Sequence, residues 1–244
     1  MFDVNYDFFL IENNFKEIEE VKSEKIQGDT SSKLPLVSIV IPTYKRVSTL
    51  RETLDSAIRQ TGNHNYEILV VDNNPERGDE TELLMAEYVS VKNLLYFKNT
   101  ANIGMAGNWS RCSELAHGEW VVLIHDDDLL VNNYLDEIEP CLINCVDGLF
   151  VCPKTFIDGE PLPTLNNSER MEIMKITLMY QYLFPILCAS GNALRKSKIL
   201  EYGGYTSKTY APDFFFSKMV YYSNVYMTNK SLIYYRKGLN ESTK

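Results

Sequence analysis

From about residue 37 to residue 130, short apolar runs alternate with stretches of helical spacing. Val37-Ser-Ile-Val-Ile41, Glu67–Val71, Asn93–Phe97 and the apolar start of Val121–Leu130 are runs of strand length, with the near-continuous apolar character of strands buried on both faces. Between them, Leu50, Leu54 and Ile58 share one helical face. Leu84, Met85, Tyr88 and Val89 mark a second helix over residues 81–89, and Trp109, Cys112, Leu115 and Ala116 a third. Thr49-x-x-Glu52 reads as a capping box at the start of the first of these helices. The alternation β-α-β-α-β-α-β predicts an α/β fold: a mostly parallel, doubly wound sheet with right-handed crossovers, flanked by helices.

The two ends depart from this rhythm. Phe8, Phe9, Leu10, Ile11, Phe15, Ile18 and Val21 recur at roughly helical spacing, and Gly28–Lys33 is polar. Residues 1–34 therefore read as an amphipathic N-terminal helical arm and linker, and residues 35–244 as the main domain. The arm is expected to dock on that domain or on a second subunit, which makes a homodimer one expectation. Beyond Leu130, Tyr134, Leu135, Ile138 and Leu142 predict a helix interrupted near Pro140, and Gly148–Cys152 a strand. Met171–Phe184 is apolar and aromatic, either a core helix or a surface facing an acceptor or a membrane. Gly191–Arg195 reads as a strand, Gly203-Gly204 as a tight turn, and Asp213 opens a helix. Val225–Met227 and Ser231–Tyr235 read as two final strands.

Composition narrows the function. The chain has 244 residues and a net charge of −9, which does not suit nucleic acid as a partner, since phosphate contacts need a basic face. Five cysteines without Cys-x-x-Cys, and no leader-like segment, predict reduced thiols and a cytoplasmic protein. No apolar run reaches the ~18 residues of a membrane-spanning helix, so the expectation is a soluble chain or one peripheral to the inner membrane face. Neither Gly-x-Gly-x-x-Gly nor Gly-x-x-x-x-Gly-Lys-Ser/Thr follows the first strand, which speaks against dinucleotide oxidoreductases and P-loop NTPases.

The candidate chemistry gathers at His125-Asp-Asp-Asp128, where an apolar run ends in three consecutive carboxylates. Acids this close repel one another unless a cation or hydrogen bonds compensate them. Open α/β sheets bind ligands at the carboxyl ends of their strands, and a hard divalent ion, Mg²⁺ or Mn²⁺, suits such a group. In an extended chain Asp126 and Asp128 share one face, with Asp127 on the other. His125 reads as a strand-end packing residue, or support for a ligand, ahead of a ligand itself.

Five stretches in order resemble the family-2 glycosyltransferases of GT-A (Rossmann-like) fold. They are Val37–Tyr44, Glu67–Asn73, Asn102-Ile-Gly104 with Asn108, the aspartates at 126–128, and Gly203-Gly204 followed by Asp213. The resemblance covers about residues 36–236. It implies an inverting enzyme that moves a sugar from a nucleotide-sugar, UDP-linked by expectation, to a glycan or lipid-linked glycan acceptor, as in surface polysaccharide synthesis. It implies that Pro42, Thr43 and Tyr44 floor the nucleotide pocket, that Arg46 approaches the diphosphate, and that Asp72 accepts a hydrogen bond from the base. Asn102 and Gly104 would line the nucleotide. Asp126 and Asp127 would contact nucleotide or metal, with Asp126, Asp127 and Asp128 as the metal-ligand set and Mn²⁺ or Mg²⁺ as cofactor. Asp213 would be the catalytic base, and helix N-capping is its plain alternative. The family's Asp-x-Asp-Asp places His125 at its first aspartate, so alternation favours Asp126 with Asp128 as ligands while the gapless match favours Asp127. A catalytically inactive partner subunit and a nucleotidyltransferase are the competing readings. The loop Pro42-Thr-Tyr-Lys-Arg46 lacks the glycines the latter would want.

Overall fold

The structure is a computed structural model that describes residues 7, 9–29, 33–144, 147–165, 170–184, 188–209 and 212–238. Phe8, linker residues 30–32 and Cys145 lie outside the described residues. In chain order, a 3-10 turn at Asn14–Glu17 precedes β1 (Ser23–Gln27), β2 (Val37–Thr43), α1 (Val47–Ile58) and β3 (Tyr66–Asp72). Then come α2 (Glu80–Ala86), β4 (Leu94–Asn99), α3 (Gly104–Leu115), β5 (Trp120–Leu123), β6 (Leu129–Leu130) and α4 (Tyr134–Asn144). The chain continues through β7 (Gly148–Ile157), β8 (Ile173–Lys175), α5 (Leu178–Leu183), β9 (Asn192–Arg195) and α6 (Lys196–Glu201). A 3-10 turn at Pro212–Phe214 leads into α7 (Phe215–Tyr222) and β10 (Val225–Lys237).

One sheet runs β1-β4-β3-β2-β5-β9-β7-β10-β6, with β8 also on β10. Strands β4, β3, β2 and β5 are parallel neighbours. Period-2 alternation sends Val37, Ile39 and Ile41 to one face, against Leu50, Leu54 and Leu84. Val40, Leu69 and Val71 go to the other face, against Trp109, Cys112, Phe215 and Phe216. Both faces are thus covered by helices, which is why these strands read as unbroken apolar runs. The C-terminal half is more mixed than the alternation implies. Strand β9 is antiparallel to both β5 and β7, and β10 is parallel to β7 but antiparallel to β6 and β8.

Four local expectations are corrected. The N-terminal segment forms no long helix among its described residues. Its turn is capped by Asn13, whose side chain accepts from Phe15 N, and the following strand pairs antiparallel with β4. The hydrogen-bonding edge of β4 and a dock for single side chains outweigh helical periodicity here. Asn14 Nδ2 donates to Gly203 O at 3.1 Å, and Ile18 is buried. A Cβ on Gly203 would stand 1.7 Å from Glu12 O, and its φ is +82°, so only glycine permits this crossing. Second, α1 starts at Val47 and the capping box is not made: Thr49 Oγ1 donates back to Arg46 O, and Glu52 pairs with Arg236 instead. Third, α4 runs through Pro140, held to the sheet by buried Tyr134, Leu135, Ile138 and Leu142. Fourth, β10 is one strand across both expected segments, with its register shifting between Met227 and Ile233.

Candidate active site

Three parallel strands deliver the site. Strand β2 ends at Thr43, β3 at Asp72, and β5 leads past Ile124 into the acidic turn. The run is not extended. Asp128 N donates to His125 O at 3.2 Å and closes a turn, so the alternation argument for pairing Asp126 with Asp128 fails. Each carboxylate points somewhere different. Thr43 Oγ1 donates to Asp126 Oδ2 at 2.8 Å, and Arg46 Nη1 lies 3.4 Å from Asp126 Oδ1. Arg46 Nη2 bonds Asp127 Oδ2 at 2.7 Å. Asp128, with no exposed surface, accepts the Arg236 N–H on Oδ1 at 2.9 Å, while its Oδ2 has no hydrogen-bond partner. Burial pushes the Asp126 carboxyl up to about 6 despite Arg46 and Thr43.

Asp127 and Asp128 together with His125 can each bring one donor atom within 4.8 Å of the others. That set fits a divalent ion, as two carboxylates, one imidazole and orphaned buried atoms would. Asp126 falls outside it. Both of its oxygens face Thr43 or Arg46.

Asp72, expected to meet the base, lies deeper in the fold. It has no exposed surface, and both its oxygens are taken. Oδ1 accepts from Asn74 N at 2.9 Å; Oδ2 accepts from Tyr96 Oη at 3.0 Å and Lys98 Nζ at 2.8 Å. Burial raises its pKa against the opposing pull of Lys98. A carboxylate so enclosed holds the β3 loop in shape and offers no free oxygen to a base. The neighbouring polar lattice continues through Asn73. Its Oδ1 accepts from Asn99 Nδ2 and Ile103 N at 3.0 Å each, and its Nδ2 donates to Asn102 Oδ1 at 2.8 Å. Asn102 and Gly104 are exposed beside it, with open space over Gly104, so they remain placed to line a ligand. Pro42 is buried in β2, whereas Tyr44 is exposed.

Asp213 approaches from the other half of the molecule. Its Oδ1 accepts from Ala189 N at 3.1 Å, and α7 has no side-chain cap, so the N-cap alternative is not realised. The next residue, Ser190, accepts through Oγ from His125 N at 3.1 Å. The loop before β9 therefore ties Asp213 to the acidic turn. Burial raises the Asp213 pKa, and His125 opposes the rise. His125 stacks on Trp109 with ring centroids 5.1 Å apart. Burial works against its charged form, yet Asp128, Asp213 and Asp127 outweigh burial and bring it up to about 9.

Sequence reasoning missed Arg236, Lys98 and Tyr96. Arg236 is 3% exposed and clamps the turn: Nε donates to Asp127 O at 2.7 Å, Nη2 to Glu52 at 2.7 Å, and Nη1 to Asp158. Lys98 bridges Asp72 and Asp79 at 2.8 Å each. A lysine inside an apolar strand run was the available signal, since a buried ammonium needs acid partners.

An open α/β sheet whose parallel strands bring buried carboxylates to one edge defines a ligand-handling site at those strand ends. A sequence model of the Glycosyl transferase family 2 matches residues 38–203, so the chain belongs to that family. The O-antigen biosynthesis protein RfbC of Myxococcus xanthus is 32% identical over 127 residues, 51% of this chain and 10% of that protein. The chain spans 36% to 46% of the length of the first three curated relatives it matches. Among solved structures, S. aureus TarS 1–349 in complex with UDP-GlcNAc superposes with a TM-score of 0.68 at 20% identity, covering 84% of this chain and 59% of that one. The mannosyltransferase PcManGT of Pyrobaculum calidifontis, in complex with GDP-Man and Mn²⁺, gives 0.62 at 16%, covering 89% and 61%. These likenesses establish the GT-A fold. Among the described residues, no helix is long and apolar enough to cross a membrane.

Proposed function

We propose that this chain is a metal-dependent inverting enzyme that moves a sugar from a UDP-sugar to a glycan or lipid-linked glycan in surface polysaccharide assembly. One observation carries the reading: the acidic turn under Thr43 and Arg46 is tied through Ser190 and Ala189 to a further, half-buried carboxylate, Asp213. Pro42, Thr43 and Tyr44 border the nucleotide, with Asn102 and Gly104 on its opposite side. Arg46, now paired with Asp126 and Asp127, turns toward the diphosphate as it arrives. Asp127 and Asp128 would hold Mn²⁺ or Mg²⁺, which would supply charge neutralisation to the departing diphosphate. Asp213 accepts the acceptor's hydroxyl proton during in-line attack at the anomeric carbon, and its raised pKa suits a general base. Inversion follows from a single displacement.

The acceptor side is apolar. Helix α5 exposes Leu178, Met179, Tyr182 and Leu183, with Tyr182 at 83%, where a core helix was one expectation. It packs on the helix that follows Asp213 through Gln181 Nε2 to Ser217 Oγ at 3.0 Å. An apolar face beside the base supports an acceptor carried on lipid and a peripheral membrane position. The test is a panel of nucleotide-sugars with Mn²⁺ and lipid-linked glycans, read as nucleoside diphosphate release and as product anomer. Asp213→Asn is expected to keep donor binding and lose transfer. Full turnover by that variant, or a product with retained configuration, overturns the mechanism. Pyrophosphate release would instead indicate a nucleotidyltransferase.

A further inference from the structure

The metal-dependent reading above leaves one residue without a role, and the following inference rests on that reading. His125 occupies the place where the resemblance expects a carboxylate, and the structure leaves its Nε2 buried without a hydrogen-bond partner. Its Nδ1 lies 3.5 Å from Asp128 Oδ2, the other orphaned buried atom of the turn. The groups around them are bonded from other elements. Arg46 takes Asp127 Oδ2, the Arg236 N–H takes Asp128 Oδ1, and Arg236 Nε takes Asp127 O. The imidazole is held in position by Trp109 on one face and, through its backbone, by Ser190. His125 Nε2 is left unpaired, and one donor atom each of His125, Asp127 and Asp128 lies within 4.8 Å of the others; since an unpaired buried polar atom is expensive, the cluster marks a place for a shared partner.

We propose that His125 is itself a ligand of the catalytic divalent ion, together with Asp127 and Asp128, and that its nitrogen biases the site against Mg²⁺. Magnesium favours oxygen donors and dehydrates reluctantly, whereas imidazole suits later first-row ions. The expected order is therefore Co²⁺ and Mn²⁺ ahead of Mg²⁺. Replacing His125 by aspartate supplies an all-oxygen set and relaxes that preference.

The experiment uses the full chain with MnCl₂, with and without UDP, and reads the ligands by pulsed electron paramagnetic resonance. Bound Mn²⁺ is expected to show nitrogen modulation from one imidazole. In parallel, calorimetry gives the Mn²⁺-to-Mg²⁺ affinity ratio, expected to fall on the order of tenfold in His125→Asp while Mn²⁺ binding persists. Mn²⁺ that binds without nitrogen coupling overturns the role of His125 and leaves metal dependence intact. So does an unchanged affinity ratio in a folded His125→Asp. Absence of Mn²⁺ binding in the native chain, with UDP present, overturns both. The resonance measurement needs only the native protein, so a variant that fails to fold does not protect the proposal.

Discussion

Two buried acidic groups sit at neighbouring strand ends, and they are compensated in opposite ways. Beside β3, Asp72 and Asp79 share a built-in cation, Lys98, which is 2% exposed. After β5, Asp127 and Asp128 have Arg46 at the mouth, Arg236 behind and the His125 imidazole 3.5 Å from Asp128 Oδ2, yet His125 Nε2 has no hydrogen-bond partner. The first group is complete and structural. The second carries the donor atoms of His125, Asp127 and Asp128 within 4.8 Å of one another, and on the proposed reading it takes a cation from outside. Burial of charge is tolerable in both because opposite charge or hydrogen bonds replace water.

The comparison can be broken most sharply at Asp128. Asp128→Asn keeps an oxygen for the Arg236 N–H but removes the charge, so transfer should fall on the order of 10³-fold or more with the fold intact. Steady-state rates and a thermal melt check both halves of that statement. At the other group the effect should be on stability. Lys98→Met leaves two buried carboxylates uncompensated and should cost about 3–5 kcal/mol in urea unfolding, with partial recovery in a double variant that adds Asp72→Asn. If Lys98→Met is stable but inactive, the Asp72 group is not the structural one.

Metal addition sharpens the contrast further. Mn²⁺ at 100 times its dissociation constant should stabilise the native chain by about 2.7 kcal/mol, and Asp128→Asn should abolish the rise in melting temperature. Asp72→Asn should leave the rise in place. The smallest effect lies at the opposite ends of the strands, where His64 contacts Asp136 and Glu139. Burial lowers its pKa, but those two acids outweigh it and raise the pKa above 6.5. A raised folded-state pKa means the charged ring stabilises fully below 6.5 and that this is lost as pH rises through the folded value. His64→Gln should therefore lower stability by less than about 1 kcal/mol near pH 6 and by nothing near pH 9, since the pair is partly exposed.

The parallel half of the molecule was readable because its strands are buried on both faces and its helices on one. Apolar runs at β2, β3 and β5, and the spacing of Leu50, Leu54 and Trp109, report that burial directly. The N-terminal segment was misread because its apolar residues serve separate docks: Ile18 against α3, Asn14 against Gly203, and a strand on the edge of β4. Periodicity cannot express partners that lie some 190 residues away along the chain.

Local chemistry, then, singled out Asp126–Asp128, because strand ends and acidic runs are local features, whereas Thr43, Arg46 and Asp213 were named through the family resemblance. Their division of labour came from packing. Asp72 was removed from the ligand surface by Tyr96 and Lys98, two residues on the adjacent strand. Asp126 was drawn to Thr43 and Arg46, and Asp128 was left half-bonded by Arg236, 108 residues away. Which carboxylate is satisfied and which is left open depends on donors brought in from other strands, and that is settled only when the sheet closes around them.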